Sequence, residues 1–403
     1  MKSLKRKVCV YTSGRMDYGI LHGLMQEISE SGGLQLQIVV SGMHLSAEFG
    51  KTVDEIIADG FKPDETVEIL LSGSTPISVC KSMGIAMIGY GEAIRRLQPD
   101  IVVVLGDRFE NFCMAAAAHV LRVPIAHIHG GEITEGAIDE AFRHCITKMA
   151  HLHFASCEVY RRRIIQLGES PDLVFNVGAL GVENIRRTFL MNPEQLAKSL
   201  RFSLNEPYFL VTFHPATLEL SGTGEQFGAL LSALDAFPEY RVILTKSNAD
   251  SDGILINRMI DEFVEKHHER AASFSSLGMN RYLSAMEYTD AVIGNSSSGI
   301  LEAPSFRVPT VNIGHRQEGR VQAESVINCS PERNAIVKSI QMAISHDFKK
   351  AIREMINPYE KKDTAKNIKK IIMKSELNSI LKKTFFDIPL NHSLSNFQVR
   401  TEQ

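Results

Sequence analysis

The sequence predicts two doubly wound α/β domains in tandem. One observation is the length of 403 residues, which exceeds the size at which a single hydrophobic core usually stops growing. Another is a series of short apolar runs alternating with segments of 3.6-residue periodicity, the βαβ pattern of a parallel sheet. The third is a repeat of that series after a polar interruption.

In the first series the strand candidates are residues 8–11, 36–40, 101–105, 125–128 and 174–177. A polar connection containing Asn192-Pro193 and Asn205-Glu206-Pro207 follows. The second series places strands at residues 209–213, 241–244, 291–293 and 310–313. The resulting division is 1–182, 183–365 and a C-terminal piece, 366–403. That last piece opens with Lys366, Lys369 and Lys370 interleaved with Ile368, Ile371 and Ile372, an amphipathic helix with a solvated basic face. The residues after Asn391 carry no packing pattern and are expected to be mobile.

A net charge of -3 argues against a general nucleic-acid binder, so any affinity for anions is local. The six cysteines include no C-x-x-C pair, and neither a disulfide framework nor a zinc site is implied. The basic first residues lead into an apolar run too short for a signal peptide, and no run approaches the ~20 apolar residues that span a bilayer. A cytoplasmic protein without membrane contact is expected.

Ligands in open α/β sheets bind beyond the carboxyl ends of the strands, and the residues there are rich in chemistry. Gly294-Asn295-Ser296-Ser297-Ser298-Gly299, followed by Glu302, reads as a cradle where N–H groups and hydroxyls meet a diphosphate, with Glu302 placed for a ribose hydroxyl. The same residues would also cap an ordinary helix. Arg15 follows the first strand and suits phosphate oxygens, or is a plain loop arginine. Asp107 and Arg108 place a carboxylate and a cation at the cleft floor, or a helix cap beside a structural arginine. His214, held by Pro215, either faces the cleft or caps a turn. Arg316 and Arg320 either close over a nucleotide or are solvated loop cations.

His127, His129, Glu132, Asp139, Glu140, Arg143 and His144 crowd one short stretch. No H-x-x-x-H or H-E-x-x-H pattern accompanies them, so an acid/base cluster fits better than a metal site. His127, at alternate spacing from His129, fits a satisfied histidine inside the sheet. No G-x-G-x-x-G follows the first strand, and neither a P-loop nor a G-x-S-x-G elbow occurs, which argues against dinucleotide dehydrogenases, P-loop enzymes and elbow-type hydrolases.

Together these segments resemble the hydrolysing UDP-N-acetylglucosamine 2-epimerases of sialic-acid biosynthesis, the bacterial NeuC type. The resemblance runs over residues 8–375 and rests on SGRMDYG (13–19), SGMHL (41–45), LGDRFE (105–110), HIHGGE (127–132), DEAFRHCITKMAHLH (139–153), FHP (213–215), SNAD (247–250), IGNSSSG (293–299) and NIGHRQEGR (312–320). It implies two Rossmann-like domains in a glycosyltransferase-B-like arrangement, with the active site in the interdomain cleft and a C-terminal helix crossing back to the first domain. It also implies that Arg15, Arg108, His214, Asn248, Ser296, Ser297, Glu302 and Arg316 hold the UDP moiety, with Leu277 near the uracil. Asp107, Glu132, Asp139 and Glu140 would surround the sugar, His44 would lie close to it, and Arg143 is counted with the substrate-binding residues. His129 and His214 join the catalytic candidates. The wider family carries glutamate where His129 stands, which leaves open whether His129, Glu132 or Asp139 does its work; the NeuC-type branch shares the histidine.

The implied reaction converts UDP-N-acetylglucosamine and water to N-acetylmannosamine and UDP through a 2-acetamidoglucal, with no cofactor and no metal. Alternatives are the same chemistry on UDP-2,4-diacetamido-2,4,6-trideoxyglucose, and a non-hydrolysing epimerase. Relatives assemble as dimers or tetramers, so a homodimer or homotetramer is expected.

Overall fold

Thirteen strands form two all-parallel sheets in the computed structural model, which describes residues 5–71, 73, 75–134, 138–215, 222–247 and 251–389. The first sheet contains β1 (Arg6–Thr12), β2 (Leu34–Ser41), β3 (Glu65–Val67), β4 (Ile101–Leu105), β5 (Ile125–Ile128), β6 (Leu152–Ala155) and β7 (Val174–Asn176), in the order β3-β2-β1-β4-β5-β6-β7. The second contains β8 (Tyr208–Thr212), β9 (Arg241–Thr245), β10 (Ala271–Phe274), β11 (Ala291–Gly294), β12 (Thr310–Ile313) and β13 (Val326–Cys329), in the order β10-β9-β8-β11-β12-β13. Asn248 and the tail after Asn391 lie outside the described residues.

Helices cover both faces of each sheet, which is why the central strands read as unbroken apolar runs. Along β1, Val8 and Val10 join one buried cluster while Cys9 and Tyr11 join the cluster on the opposite face. β8 divides likewise, with Phe209 and Val211 on one side and Tyr208 and Leu210 on the other. Four strands fall outside the predicted set: β3, β6, β10 and β13. β3, β10 and β13 are edge strands with partly exposed residues, and β6 is a buried four-residue strand whose His153 pairs in register with His127 of β5.

Strand order reverses between β1 and β4 in the first sheet and between β8 and β11 in the second. A crevice opens at the carboxyl ends of the strands at each reversal. Arg15, opening helix Arg15–Ser29, and the loop carrying Asp107 border one crevice; the loops carrying His214 and Asn295 border the other.

The chain ends its ordered course on the first sheet. Helix Thr364–Lys374 packs against helix Arg15–Ser29 and buries Ala365, Ile368 and Ile372 in the first sheet's core. Its start is capped by Glu183, whose carboxylate accepts the Ala365 N–H at 2.8 Å, while Thr364 donates its hydroxyl to the Val177 carbonyl at 2.7 Å. Lys369 pairs with Glu27 at 2.5 Å, and the other lysines face solvent or the surface rim. No helix of the described residues is long and apolar enough to cross a membrane.

Candidate active site

The second sheet's contribution is organised by one buried asparagine. Gly294, at φ +135°, ends β11 so close to β8 that a Cβ there would lie 1.9 Å from the Thr212 carbonyl oxygen. The next residue, Asn295, donates its N–H to that carbonyl at 3.1 Å. Its side chain accepts the His214 N–H at 2.8 Å and donates to the His214 carbonyl at 2.8 Å. Its own carbonyl accepts from Arg316 at 3.0 Å and from Gln317 at 2.8 Å. Three strand ends are thereby locked together, and Ser296, Ser297 and Ser298 follow at their junction. Tyr282 meets the Ser298 hydroxyl at 2.5 Å and Ser296 lies 3.0 Å from it. The Ser297 carbonyl accepts the N–H groups of Ile300 and Leu301, which starts the short helix Ser298–Leu301.

His214 sits in this frame with Nδ1 3.3 Å from the Ser247 hydroxyl. Burial, then the Arg316 charge, pushes its pKa down to about 3, so at neutral pH it is an uncharged imidazole suited to hydrogen bonding. Arg316 is lowered to about 10 by burial and by Arg320, and it remains a cation at neutral pH. Asp107 and Asp139 of the first sheet are close enough to act on it electrostatically, so the cradle and the carboxylates face one another. Glu302 is enclosed; burial raises its pKa to about 7, and its Oε2 has no partner. An enclosed acceptor without a donor fits a hydroxyl-bearing ligand.

On the first sheet's side, Asp107 follows β4 and pairs with Arg143, which also donates to the His129 carbonyl at 2.9 Å. Arg143 is only 3% exposed. In the structure it holds Asp107 and the His129 backbone. Asp139 and Glu140 open helix Asp139–Met149, where carboxylates suit the positive end of the helix. Glu140 accepts the Thr134 N–H at 2.6 Å and meets His144 at 2.9 Å. Asp139 is raised to about 6 by burial and then by the Asp107 charge, which brings it into the range where a carboxyl exchanges protons near neutrality.

Glu132 is fully enclosed. Ser156 donates to its Oε1 at 2.8 Å, and His129 Nδ1 lies 3.4 Å from the same oxygen. Burial works to raise its pKa, but His129, Arg320 and Arg143 outweigh burial and hold it below the usual value. Burial lowers the pKa of His129, with the Glu132 carboxylate pulling the other way, and its Nε2 is unpartnered. Its φ of +65° is strained for a residue with a side chain, a feature concentrated at functional sites. The following Gly131 admits the Tyr160 carbonyl, which would lie 2.5 Å from a Cβ there. His127 is the satisfied sheet histidine expected, bonded to the Gly106 carbonyl and to Thr147.

Three further expected residues make firm contacts within the fold. His44 is wholly buried, with Thr12 at 2.9 Å and Thr52 at 2.7 Å on its two ring nitrogens, so it braces the floor. Leu277 is buried in the second sheet's core because it packs with Ala285 and Met286. Arg108 reaches sideways to Glu110 at 2.7 and 3.2 Å, a two-pronged pair that supplies the counter-charge it needs inside the fold. Arg15 bridges toward the second sheet, donating to Ser276 at 2.8 Å while pairing with Glu55 at 3.1 Å. Sequence reasoning missed Glu110, Ser156, Thr134 and the organising role of Asn295. Among these Asn295 carried a signal in its place in the serine-rich junction, and Glu110 in closing the LGDRFE segment.

The sequence matches the family described as UDP-N-acetylglucosamine 2-epimerase over residues 26–373. A Campylobacter jejuni protein described as a GDP/UDP-N,N'-diacetylbacillosamine 2-epimerase (hydrolyzing) is 40% identical over 385 residues, covering 95% of this chain and 100% of that one. The polysialic acid biosynthesis protein P7 of Escherichia coli is 39% identical over 388 residues, covering 95% and 98%. The crystal structure of the Neisseria meningitidis UDP-GlcNAc 2-epimerase bound to UDP-GlcNAc superposes with a TM-score of 0.78 at 18% identity, covering 92% of this chain and 100% of that one. The two-domain, glycosyltransferase-B-like fold is therefore shared.

Proposed function

The chain belongs to the UDP-N-acetylglucosamine 2-epimerase family, and from that premise we propose that it is a hydrolysing 2-epimerase that converts UDP-N-acetylglucosamine and water to N-acetylmannosamine and UDP. The observation that carries the reading is the meeting of an anion cradle on one sheet with three carboxylates, Asp107, Glu132 and Asp139, on the other. In this reading a carboxylate removes the proton at sugar carbon 2 while the bond from carbon 1 to the diphosphate oxygen breaks. UDP departs with the electron pair, leaving a 2-acetamidoglucal. Arg15, Arg316 and the serine hydroxyls stabilise the charge that develops on the leaving diphosphate, and neutral His214 adds a hydrogen bond. Water then adds at carbon 1, and a proton returns to carbon 2 on the opposite face.

A second substrate is supported by the relatives. Besides the Campylobacter protein, a Legionella pneumophila protein described as a UDP-N,N'-diacetylbacillosamine 2-epimerase (hydrolyzing) is 33% identical, covering 84% of this chain. The same elimination and rehydration on a UDP-linked 2,4-diacetamido-2,4,6-trideoxyhexose is accordingly the alternative.

Proton NMR in deuterated water tests both. The expected result with the preferred substrate is free N-acetylmannosamine carrying deuterium at carbon 2, together with UDP. Release of UDP only from the diacetamido substrate would move the assignment to the alternative, and UDP-N-acetylmannosamine as product would overturn the hydrolytic reading.

The pH profile offers a further check. Asp139 is protonated below about 6; as a base it works ionised, so kcat/KM is expected to be sustained above that value and to fall as pH drops through it. A profile flat across this range would remove Asp139 from proton abstraction.

A further inference from the structure

One arginine of the second sheet leaves its own side of the cleft altogether. Arg320, in the loop between β12 and β13, donates to Glu132 Oε2 at 3.1 Å and to the Thr134 hydroxyl at 3.2 Å. Its side chain is 9% exposed and that of Glu132 is 2% exposed. Thr134 is shared, since Arg143 lies 3.4 Å from the same hydroxyl while holding Asp107. Two arginine–carboxylate pairs therefore flank one threonine, and one arginine comes from across the cleft.

The backbone beside Arg320 is held by an unusual device. The Val321 N–H donates to the Tyr160 hydroxyl oxygen at 2.9 Å, and Tyr359 donates its hydroxyl to the Val321 carbonyl at 2.6 Å. The two tyrosine oxygens are 2.9 Å apart. With the Tyr359 proton committed to the carbonyl, the Tyr160 proton must fill the gap between the hydroxyls. Each donor then has one acceptor and the ring closes, provided both tyrosines stay protonated. Burial keeps them so, raising Tyr160 to about 12 and Tyr359 further. Tyr160 belongs to helix Glu158–Gln166 on the first sheet, so this clamp also bridges the cleft.

We propose that Arg320 is a positioning residue that couples closure of the cleft to the readiness of Glu132, and that Tyr160 and Tyr359 clamp Val321 to deliver it. Ser156 and His129 hold Glu132 Oε1 from the first sheet, and the partner of Oε2 and the second sheet's share of the counter-charge arrive only when the Arg320 loop is docked. Proton transfer through Glu132 is thus confined to the closed enzyme, where the glucal is shielded from premature water. The charged or titratable groups around Glu132 are His129, Arg143, Arg320, Glu302, Cys157 and the two tyrosines. Of these, Arg320 alone is a cation from the second sheet. The inference rests on the proposed epimerase chemistry for its consequence in turnover, but its structural core can be tested without turnover.

The test uses the full-length protein labelled with 13C at the glutamate carboxyls, the Glu132 signal being assigned by its loss in Glu132→Gln. In wild type the Glu132 carboxyl is expected to titrate below the ordinary value of ~4.3, and in Arg320→Met clearly higher than in wild type, because burial is then opposed by the first sheet's groups alone. Arg320→Lys should restore part of the shift. In parallel, Arg320→Met should lower kcat on the order of thirtyfold, within the range of general-base contributions, with KM changed by far less. Tyr359→Phe preserves the packing and opens the proton ring; it should move the Glu132 midpoint upward by a smaller amount and cost about fivefold in kcat. It carries the test should Arg320→Met fail to fold. A Glu132 midpoint unmoved in Arg320→Met, or in Tyr359→Phe if that variant alone folds, overturns the assignment. Wild-type protein inert toward both UDP-sugars overturns the proposed function instead, leaving the titration to decide the role of Arg320.

Discussion

Asp107→Asn is expected to lower kcat by roughly a hundredfold or more, the scale of a general acid–base group, while UDP still binds. Asp107 emerges from β4 at the point where strand order reverses, and it retains 20% exposure toward the cleft. The substitution keeps the side-chain shape, so the amide oxygen can still accept from Arg143 and hold the His129 backbone in place. What disappears is the negative charge, and with it both a proton acceptor and the repulsion that helps raise Asp139. The acid limb of the pH profile should therefore move downward in whatever activity remains. Turnover by UDP release, UDP affinity by calorimetry and deuterium incorporation at carbon 2 check these outcomes together. Near wild-type turnover would remove Asp107 from the mechanism.

Gly294→Ala carries the largest expected loss of stability. A methyl group would collide with the Thr212 carbonyl, a backbone atom that cannot swing aside, and the φ of +135° is itself unfavourable for alanine. Overpacking and backbone strain together suggest a loss of about 3 kcal/mol or more, or roughly 6–12 °C in the melting of the second domain. The damage would begin at the β8–β11 contact and reach the Asn295 ties to His214, Arg316 and Gln317. UDP binding is thus expected to weaken even below the melting temperature. A variant that melts and binds UDP like wild type would show that the strand ends can separate at no cost.

These two residues illustrate what was legible before any coordinates. Strands buried on both faces announce themselves, as residues 101–105 and 125–128 do, and the chemistry gathers just after them. β6 was missed although it carries a buried histidine in register with that of β5; His153 is accommodated there by Glu169, 3.0 Å away. The edge strands Glu65–Val67 and Val326–Cys329 are short and partly exposed, so neither periodicity nor apolarity marks them. In the site, side-chain types were readable and their allegiances were not. Arg108 turned to Glu110 two positions away, whereas Arg320 found Glu132 across 188 positions of sequence. No spacing rule reaches that far, and a buried charge takes whichever partner the topology brings.

The return of helix Thr364–Lys374 to the first sheet has a consequence for the newborn chain. The residues of that sheet leave the ribosome early, yet the face of helix Arg15–Ser29 that Ala365, Ile368 and Ile372 cover has to wait for almost the whole second domain. At typical elongation rates of about 5–20 residues per second, the interval is roughly 10–40 s. During that time an apolar strip that includes Leu21, Leu24, Met25 and Ile28 lacks part of its cover and is open to chaperones or to neighbouring nascent chains. The domain begun first is therefore the one completed last, and a message broken shortly before codon 364 would yield a protein whose second half can fold while its first half stays adhesive.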